Sequence, residues 1–268
     1  MKLASLPMYD LPELSAATHE LWRGFARHFR AAGVADVPAQ LTSRPRLPEH
    51  WLSPFLLFSQ SCGYPLTHAL KGRVRVVATP CYDALGAKGP EYFSVIVVPA
   101  AAPAHSFAEL RGKRAAFNGT DSQSGFNVLR ALAAPLAQGG RFFSESIETG
   151  SHVASLEMVA SGEADLAAID CVTFALLSRH SRSSLAGLRA LCRTASAPAL
   201  PYVTTGSTSD DVLQRLRRGL KAAMADPALA DAKAKLLLTG VEVLPESAYD
   251  RIVEMEAAAL ALGYLALD

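Results

Sequence analysis

Short apolar runs alternate with amphipathic helical patterns along the chain, and polar loops containing glycine or serine separate them. The apolar runs of strand length are residues 3–8, 73–78, 92–98, 113–117 and 164–169. Between them, apolar side chains recur every three or four residues, as in residues 14–29 and 126–132, which is typical of helices packed on a sheet. The alternation predicts an α/β protein, and 268 residues suffice for one large domain or two smaller ones.

Composition excludes several classes of protein. Lys and Arg together number 26 against 25 Asp and Glu, so the chain lacks the basic excess of a nucleic-acid-binding protein, and we expect no nucleic-acid partner. The most apolar strip, residues 95–104, contains two prolines and is half the ~20 residues of a membrane-spanning helix. We therefore expect a globular protein without a membrane span.

The first residues and the cysteines leave two questions open. Pro7 and Asp10 interrupt the apolar region that a secretory leader needs, so we expect a periplasmic location if a leader was removed and a cytoplasmic one otherwise. Cysteines 62, 81, 171 and 192 have no metal-ligand spacing, so we expect neither a metal nor a cofactor. Bridges 62–81 and 171–192 stay possible, although buried thiols are the favoured state.

The loop of residues 118–125 is the strongest candidate for a ligand contact. Ser122 and Ser124 lie where a strand gives way to a helix, and Gly125 allows close approach of the backbone. Hydroxyl groups beside the exposed N–H groups of a helix start form an anion site. The alternative is ordinary helix capping, and the loop matches neither the P-loop nor the dinucleotide fingerprint.

Further polar groups occur at predicted element ends. Ser151 and His152 open a helix that Gly162 ends, and a helix start favours a neutral imidazole. Asp170 ends an apolar strand, where it either meets a ligand or caps the next helix. A nucleophilic enzyme pairing Cys62 or Ser124 with His152 and Asp170 stays open, although the chain has no nucleophile-elbow motif. The final helix, residues 246–262, is predicted to turn Ile252, Val253 and Leu260 inward.

Five segments carry a resemblance to a known family. They are residues 6–10, 60–65, 118–125, 150–157 and 162–170, the last two holding a helix-start histidine and a strand of pattern G-x-A-D-x-A. With them the chain resembles the PhnD-type substrate-binding proteins of ABC transporters for phosphate, phosphite or phosphonate, over most of its length.

The resemblance implies a two-lobed fold similar to type II periplasmic binding proteins. Each lobe is then a mixed sheet flanked by helices, with the ligand cleft between the lobes. Carried onto this chain, the first lobe comprises residues 1–96 and 197–268 and the second residues 97–196, with hinge crossings near 95–99 and 194–201.

The function implied is a solute-binding protein that closes around a small oxyanion for an ABC-type uptake system. The resemblance also implies that the protein performs no catalysis, works as a monomer and delivers its ligand to a permease. The implied ligand-binding residues are Tyr9, Gln60, Ser61, Tyr82, Ser122, Ser124, Gly125, Ser151, His152 and Asp170. The alternatives are a cytoplasmic enzyme of cofactor or small-metabolite biosynthesis on the same fold, and a ligand-sensing module.

Overall fold

The computed structural model describes residues 2–267, in which strands and helices alternate. The strands are β1 (Leu3–Ala4), β2 (Leu56–Gln60), β3 (Val74–Tyr82), β4 (Glu91–Tyr92), β5 (Ser94–Pro99), β6 (Arg114–Phe117), β7 (Glu145–Glu148), β8 (Leu166–Asp170), β9 (Leu188–Arg193), β10 (Ala197–Pro198), β11 (Tyr202–Thr205) and β12 (Leu238–Glu242). The helices are α1 (Ser15–Ala31), α2 (Gly63–Thr67), α3 (Val128–Ala133), α4 (His152–Ser161), α5 (Cys171–His180), α6 (Asp210–Ala225), α7 (Ala230–Lys235) and α8 (Asp250–Ala261). The predicted α/β class is confirmed.

The chain divides into two compact units. The first runs to Glu91 and resumes over Pro198–Ala248, and the second comprises Tyr92–Ala197 and resumes at Tyr249. The family resemblance implied that all of residues 197–268 lie in the first lobe, whereas the structure places α8 in the second unit. The physical reason is that α8 packs on α3: Asn127 Nδ2 donates to the Ile252 carbonyl at 3.0 Å.

The first unit has a five-stranded sheet in the order β1-β2-β11-β3-β12. Strands β1 and β2 pair in parallel, and β11 runs antiparallel to both β2 and β3. Strands β1, β2 and β3 therefore point the same way, and the segments that follow them leave from one edge of the sheet. Aromatic rings of α1, β2 and β11 pack together in its core: Trp22, Phe25, Phe29, Phe58 and Tyr202.

The second unit also has a five-stranded sheet, in the order β7-β6-β8-β5-β9. Strand β6 pairs in parallel with both β7 and β8, so the carboxyl ends of these three strands share an edge. The core of this unit includes Ala259, Tyr264 and Leu267 from the final segment, packed with Leu129 and Phe142.

Two local predictions were wrong. The first strand was predicted over residues 3–8 and covers only Leu3–Ala4. On α8 Ile252 is buried as predicted, but Val253 and Leu260 are exposed, since the side of the helix that faces the core carries Ile252 and Ala259.

Within residues 2–267, no helix has the length and apolar character needed to cross a membrane.

Candidate functional site

Three polar segments converge at one edge of the second unit's sheet. Residues 118–125 follow β6, Ser151 and His152 follow β7, and Asp170 ends β8. Because the three strands run in parallel, these segments leave the sheet on the same side. Ligand groups collect at the carboxyl edge of such sheets. The topology thus assembles the predicted residues of this unit in one region.

A π-helical turn, Gln123–Asn127, leads directly into α3. Its N-cap is Ser122, whose Oγ accepts a hydrogen bond from the Gly125 amide at 3.0 Å. The Gly125 N–H is therefore engaged within the turn. Ser122 itself is buried. Because a hydroxyl group can accept and donate at once, Ser122 can donate to a ligand while it caps this turn.

Ser124 joins this turn to α4. Its Oγ lies 2.9 Å from Nε2 of His152, the first residue of α4. The backbone carbonyl of Ser124 accepts a 2.8 Å hydrogen bond from the buried hydroxyl of Ser94 on β5. Two helix starts are therefore linked by a side-chain hydrogen bond, and the neighbouring strand fixes one of them.

The imidazole of His152 is uncharged at neutral pH. Burial lowers its pKa to about 4, and the backbone of Ala168 opposes this shift more weakly. Nδ1 is buried, and no atom of the described residues makes a hydrogen bond of normal geometry with it. The sequence argument expected a neutral imidazole from the helix dipole, whereas desolvation is the main cause in the structure.

Gly125 is required by close packing. A Cβ atom placed on it would lie 1.8 Å from Oδ1 of Asn118. The Asn118 amide therefore occupies the space that any other residue at position 125 would need. This side-chain oxygen is buried and accepts no hydrogen bond within the described part of the chain.

Ser151 and Asp170 act as helix caps. The Ser151 hydroxyl accepts from the Ala154 amide at 3.1 Å, and Gly162 ends the helix with φ of 82°, as the sequence predicts. Oδ1 of Asp170 accepts from the amides of Val172 and Thr173 at 2.7 and 3.0 Å. Of the two roles that the sequence left open for Asp170, the geometry shows capping.

In the first unit, three of the four predicted residues lie together. The rings of Tyr9 and Tyr82 meet edge to face with centroids 5.3 Å apart, and Gln60 Nε2 donates to the Tyr82 hydroxyl at 3.0 Å. Ser61 is fully buried, and its hydroxyl donates to the carbonyl of Cys62 at 3.2 Å. Its side chain therefore serves its own loop.

A small cavity of about 30 Å³ lies beside Tyr9 and Tyr82 in the first unit, enough for a water molecule or a methyl group. Uncharged side chains line it: Leu6, Tyr9, Thr18, Leu21, Gln60, Tyr82, Tyr202, Leu236 and Leu238.

Ser94 and Tyr202 were not predicted as members of these clusters, and Asn118 was predicted only as part of the loop of residues 118–125. Ser94 is a lone hydroxyl inside the apolar run of β5, and such an interruption is a usable signal. Burial raises the pKa of the Tyr202 hydroxyl well above its usual value.

Across residues 2–267 no group of three or more His, Cys, Asp or Glu side chains is arranged to hold a metal, and no disulfide joins the four cysteines.

Solved structures share this fold. A binding protein component of an ABC phosphonate transporter from Pseudomonas aeruginosa has TM-score 0.78 and 14% identity, covering 98% of this chain and 87% of that one. PhnD1 from Prochlorococcus marinus, in complex with methylphosphonate, has TM-score 0.77 and 15% identity over 96% and 97% of the two chains. XAC2383 from Xanthomonas citri, bound to ATP, has TM-score 0.70 and 18% identity over 97% and 98%. A comparison with curated proteins finds no match.

The fold is thus that of two-lobed periplasmic binding proteins. Residues 56–249 match the family described as "ABC transporter, phosphonate, periplasmic substrate-binding protein", and the chain belongs to that family. Membership makes it a solute-binding protein rather than an enzyme, and implies a small ligand, a permease partner and a periplasmic location. The enzymatic alternative is not favoured.

Proposed function

We propose that this protein binds a small oxyanion of the phosphate, phosphite or phosphonate type and delivers it to an ABC permease. The observation that carries the proposal is the 2.9 Å contact of Ser124 Oγ with His152 Nε2, which links two helix starts at one sheet edge. Beside it, the buried Ser122 hydroxyl accepts from the Gly125 amide and keeps its own proton available for donation to a ligand. Helix starts with added hydroxyl donors favour anions.

The residues divide into ligand contacts and supports. In this proposal Ser122, Ser124 and His152 contact the oxyanion, while Gly125, Ser151 and Asp170 shape the turns that present them. Support for the division is that the Gly125 amide and Oδ1 of Asp170 are already engaged in capping, and that Ser151 is exposed whereas Ser122, which also caps, is buried.

We assign Tyr9, Gln60 and Tyr82 to a second set of ligand contacts. They cluster at the edge where β1, β2 and β3 end, and they surround a cavity lined by uncharged side chains. Ser61 belongs to this set as a residue that stabilises its own loop.

The protein is further proposed to work as a monomer. Light scattering after size-exclusion chromatography measures its mass in solution and tests this directly.

A thermal-shift panel tests the function. Ligand-free protein is melted with phosphate, phosphite, methylphosphonate, aminoethylphosphonate, sulfate and small carboxylates; methylphosphonate is included because PhnD1 holds it. A ligand at 100 times its Kd adds about 2.7 kcal/mol, which raises Tm by roughly 5–10 °C. A panel without any shift overturns the proposal.

The assignment of residues has its own test. Ser122→Ala and the double variant Ser124→Ala/His152→Ala should weaken binding of the active ligand at least tenfold, because each loses a donor in a buried site. The matched control is Ser178→Ala, which removes a hydroxyl that donates to the Phe174 carbonyl within α5. If the double variant binds as tightly as the wild type, the site lies elsewhere.

A further inference from the structure

The charge of the ligand follows from what surrounds the Ser122, Ser124 and His152 cluster. No Lys or Arg in residues 2–267 forms a hydrogen bond or ion pair with any of these three side chains. His152 is itself neutral, because burial lowers its pKa to about 4. The donors that remain are hydroxyl groups and backbone N–H groups, none of which carries a formal charge.

Two arginines of the second unit, Arg130 and Arg193, are engaged elsewhere. The Arg130 guanidinium is 2.7 Å from Glu256 Oε1 and lies over the Phe126 ring. Arg193 lies over the Phe93 ring. It pairs with Val95 across β5 and β9, and strand alternation therefore places it on the face opposite the Ser94 side chain, which contacts Ser124.

Helix ends supply the positive potential instead. A helical stretch of residues 123–133 and the ten-residue α4 both start at the cluster. Each helix start is equivalent to about half an elementary charge, so the two together offset roughly one negative charge.

A buried carboxylate works in the other direction. Asp170 is 1% exposed and pairs directly with Ser94 across β5 and β8, so the two side chains lie on the same face of the sheet, and the Ser94 hydroxyl donates to the Ser124 carbonyl. A second negative charge on a ligand at the cluster would therefore lie on the side of this buried carboxylate, with no Lys or Arg of the described residues bonded to the cluster to offset it.

We propose that the site takes its oxyanion as the monoanion and discriminates against the dianion. The inference rests on the proposed function and adds the charge state of the ligand. Phosphite and methylphosphonate are then bound with one proton retained on an oxygen, and sulfate, which has no such proton near neutral pH, is rejected.

The test is the Kd of methylphosphonate and of phosphite, measured by calorimetry from pH 5.5 to 9. The apparent Kd should be flat at low pH and then rise by about tenfold per pH unit, since only the monoanion fraction binds. The break should fall at each ligand's own second ionisation, determined by titrating the ligand alone.

Comparing two ligands with different second ionisations distinguishes a pH effect of the ligand from a pH effect of a protein group. The titratable groups around the cluster are His152 on α4, Asp170 and Cys171 at the start of α5, and Asp121 and Glu148 beside Gly119. A break at the same pH for both ligands would assign the effect to one of these groups and overturn the inference. A Kd that is constant or falls toward pH 9 would overturn it as well, while binding would still support the proposed function.

Asp170→Asn is the matched variant. Asparagine also caps helices, so the start of α5 should be kept while the buried charge is removed. The ratio of the Kd at pH 9 to the Kd at pH 5.5 should then shrink. If neither ligand binds the wild type, the pH series is measured with the oxyanion that the thermal-shift panel identifies; if no member of that panel binds, the proposed function fails rather than the charge assignment alone.

Discussion

Ser124 Oγ and His152 Nε2 lie 2.9 Å apart, although 28 residues separate them in the sequence. The two residues open consecutive helical stretches that follow the parallel strands β6 and β7. The contact therefore depends on strand order, and it fixes the relative position of two helix starts in the second unit.

The Ser124–His152 contact should be visible in stability without any ligand. A buried neutral hydrogen bond contributes about 1 kcal/mol net. A double-mutant cycle with Ser124→Ala and His152→Ala should therefore give a coupling of about 1 kcal/mol in the free energy of unfolding, measured by urea denaturation. Additive effects of the two changes would mean that the hydrogen bond is absent in solution.

His152 should make stability depend on pH. In the folded protein burial lowers its pKa from 6.5 to about 4, whereas the unfolded chain keeps the ordinary value. The stabilisation is therefore complete above pH 6.5 and is lost as the pH falls toward 4, because only the unfolded chain takes up the proton.

The measurement for this prediction is the urea midpoint from pH 7.5 to 4, compared between the wild type and His152→Gln. The wild type should lose more stability than the variant over that range. His50, whose pKa burial also lowers, is present in both proteins and cancels in the comparison. If the urea midpoints of the two proteins fall equally with pH, His152 is not neutral and buried in the folded protein.

Gly125→Ala should destabilise the second unit. The new Cβ would lie 1.8 Å from Asn118 Oδ1, and overpacking of this kind costs about 1–3 kcal/mol. The control is Gly240→Ala in β12, where no heavy atom lies within 4 Å of the added Cβ. Adding Asn118→Ala to Gly125→Ala should recover part of the loss, and a failure to recover would place the strain elsewhere.

The Arg130–Glu256 ion pair should be sensitive to loss of one partner. Oε1 of Glu256 lies 2.7 Å from Arg130, whose side chain is 95% buried. Glu256→Gln should cost about 3–5 kcal/mol of unfolding free energy, because it leaves a buried charge without its counterion. Asp211→Asn, which breaks the exposed pair with Arg215, should cost less than about 0.5 kcal/mol. Equal losses in the two variants would contradict this reading of burial.

Local signals were sufficient for much of the secondary structure. The cap at Ser151 and the end of α4 at Gly162 follow from residue types that act on their own neighbours. The same holds for the placement of residues 118–125 between a strand and a helix. These features depend on backbone groups within a few residues, which a single sequence displays.

Long-range packing explains what the sequence left unpredicted. The hydrogen bond from the Ser94 hydroxyl to the Ser124 carbonyl joins segments that are 30 residues apart and whose proximity depends on the sheet. On α8, Val253 and Leu260 are apolar and yet exposed, so hydrophobicity did not identify the buried side. The ligand contacts themselves stay predictions until binding is measured.

The placement of α8 bears on how this protein is made. The second unit draws Ala259, Tyr264 and Leu267 into its core, so residues 92–197 alone lack part of their hydrophobic interior. Its folding can finish only after the residues up to Leu267 have been synthesised. The first unit, which needs nothing beyond Ala248, has all of its residues earlier in synthesis. A protein truncated after Ala248 should therefore hold a first unit resistant to protease beside a second unit that is still digested.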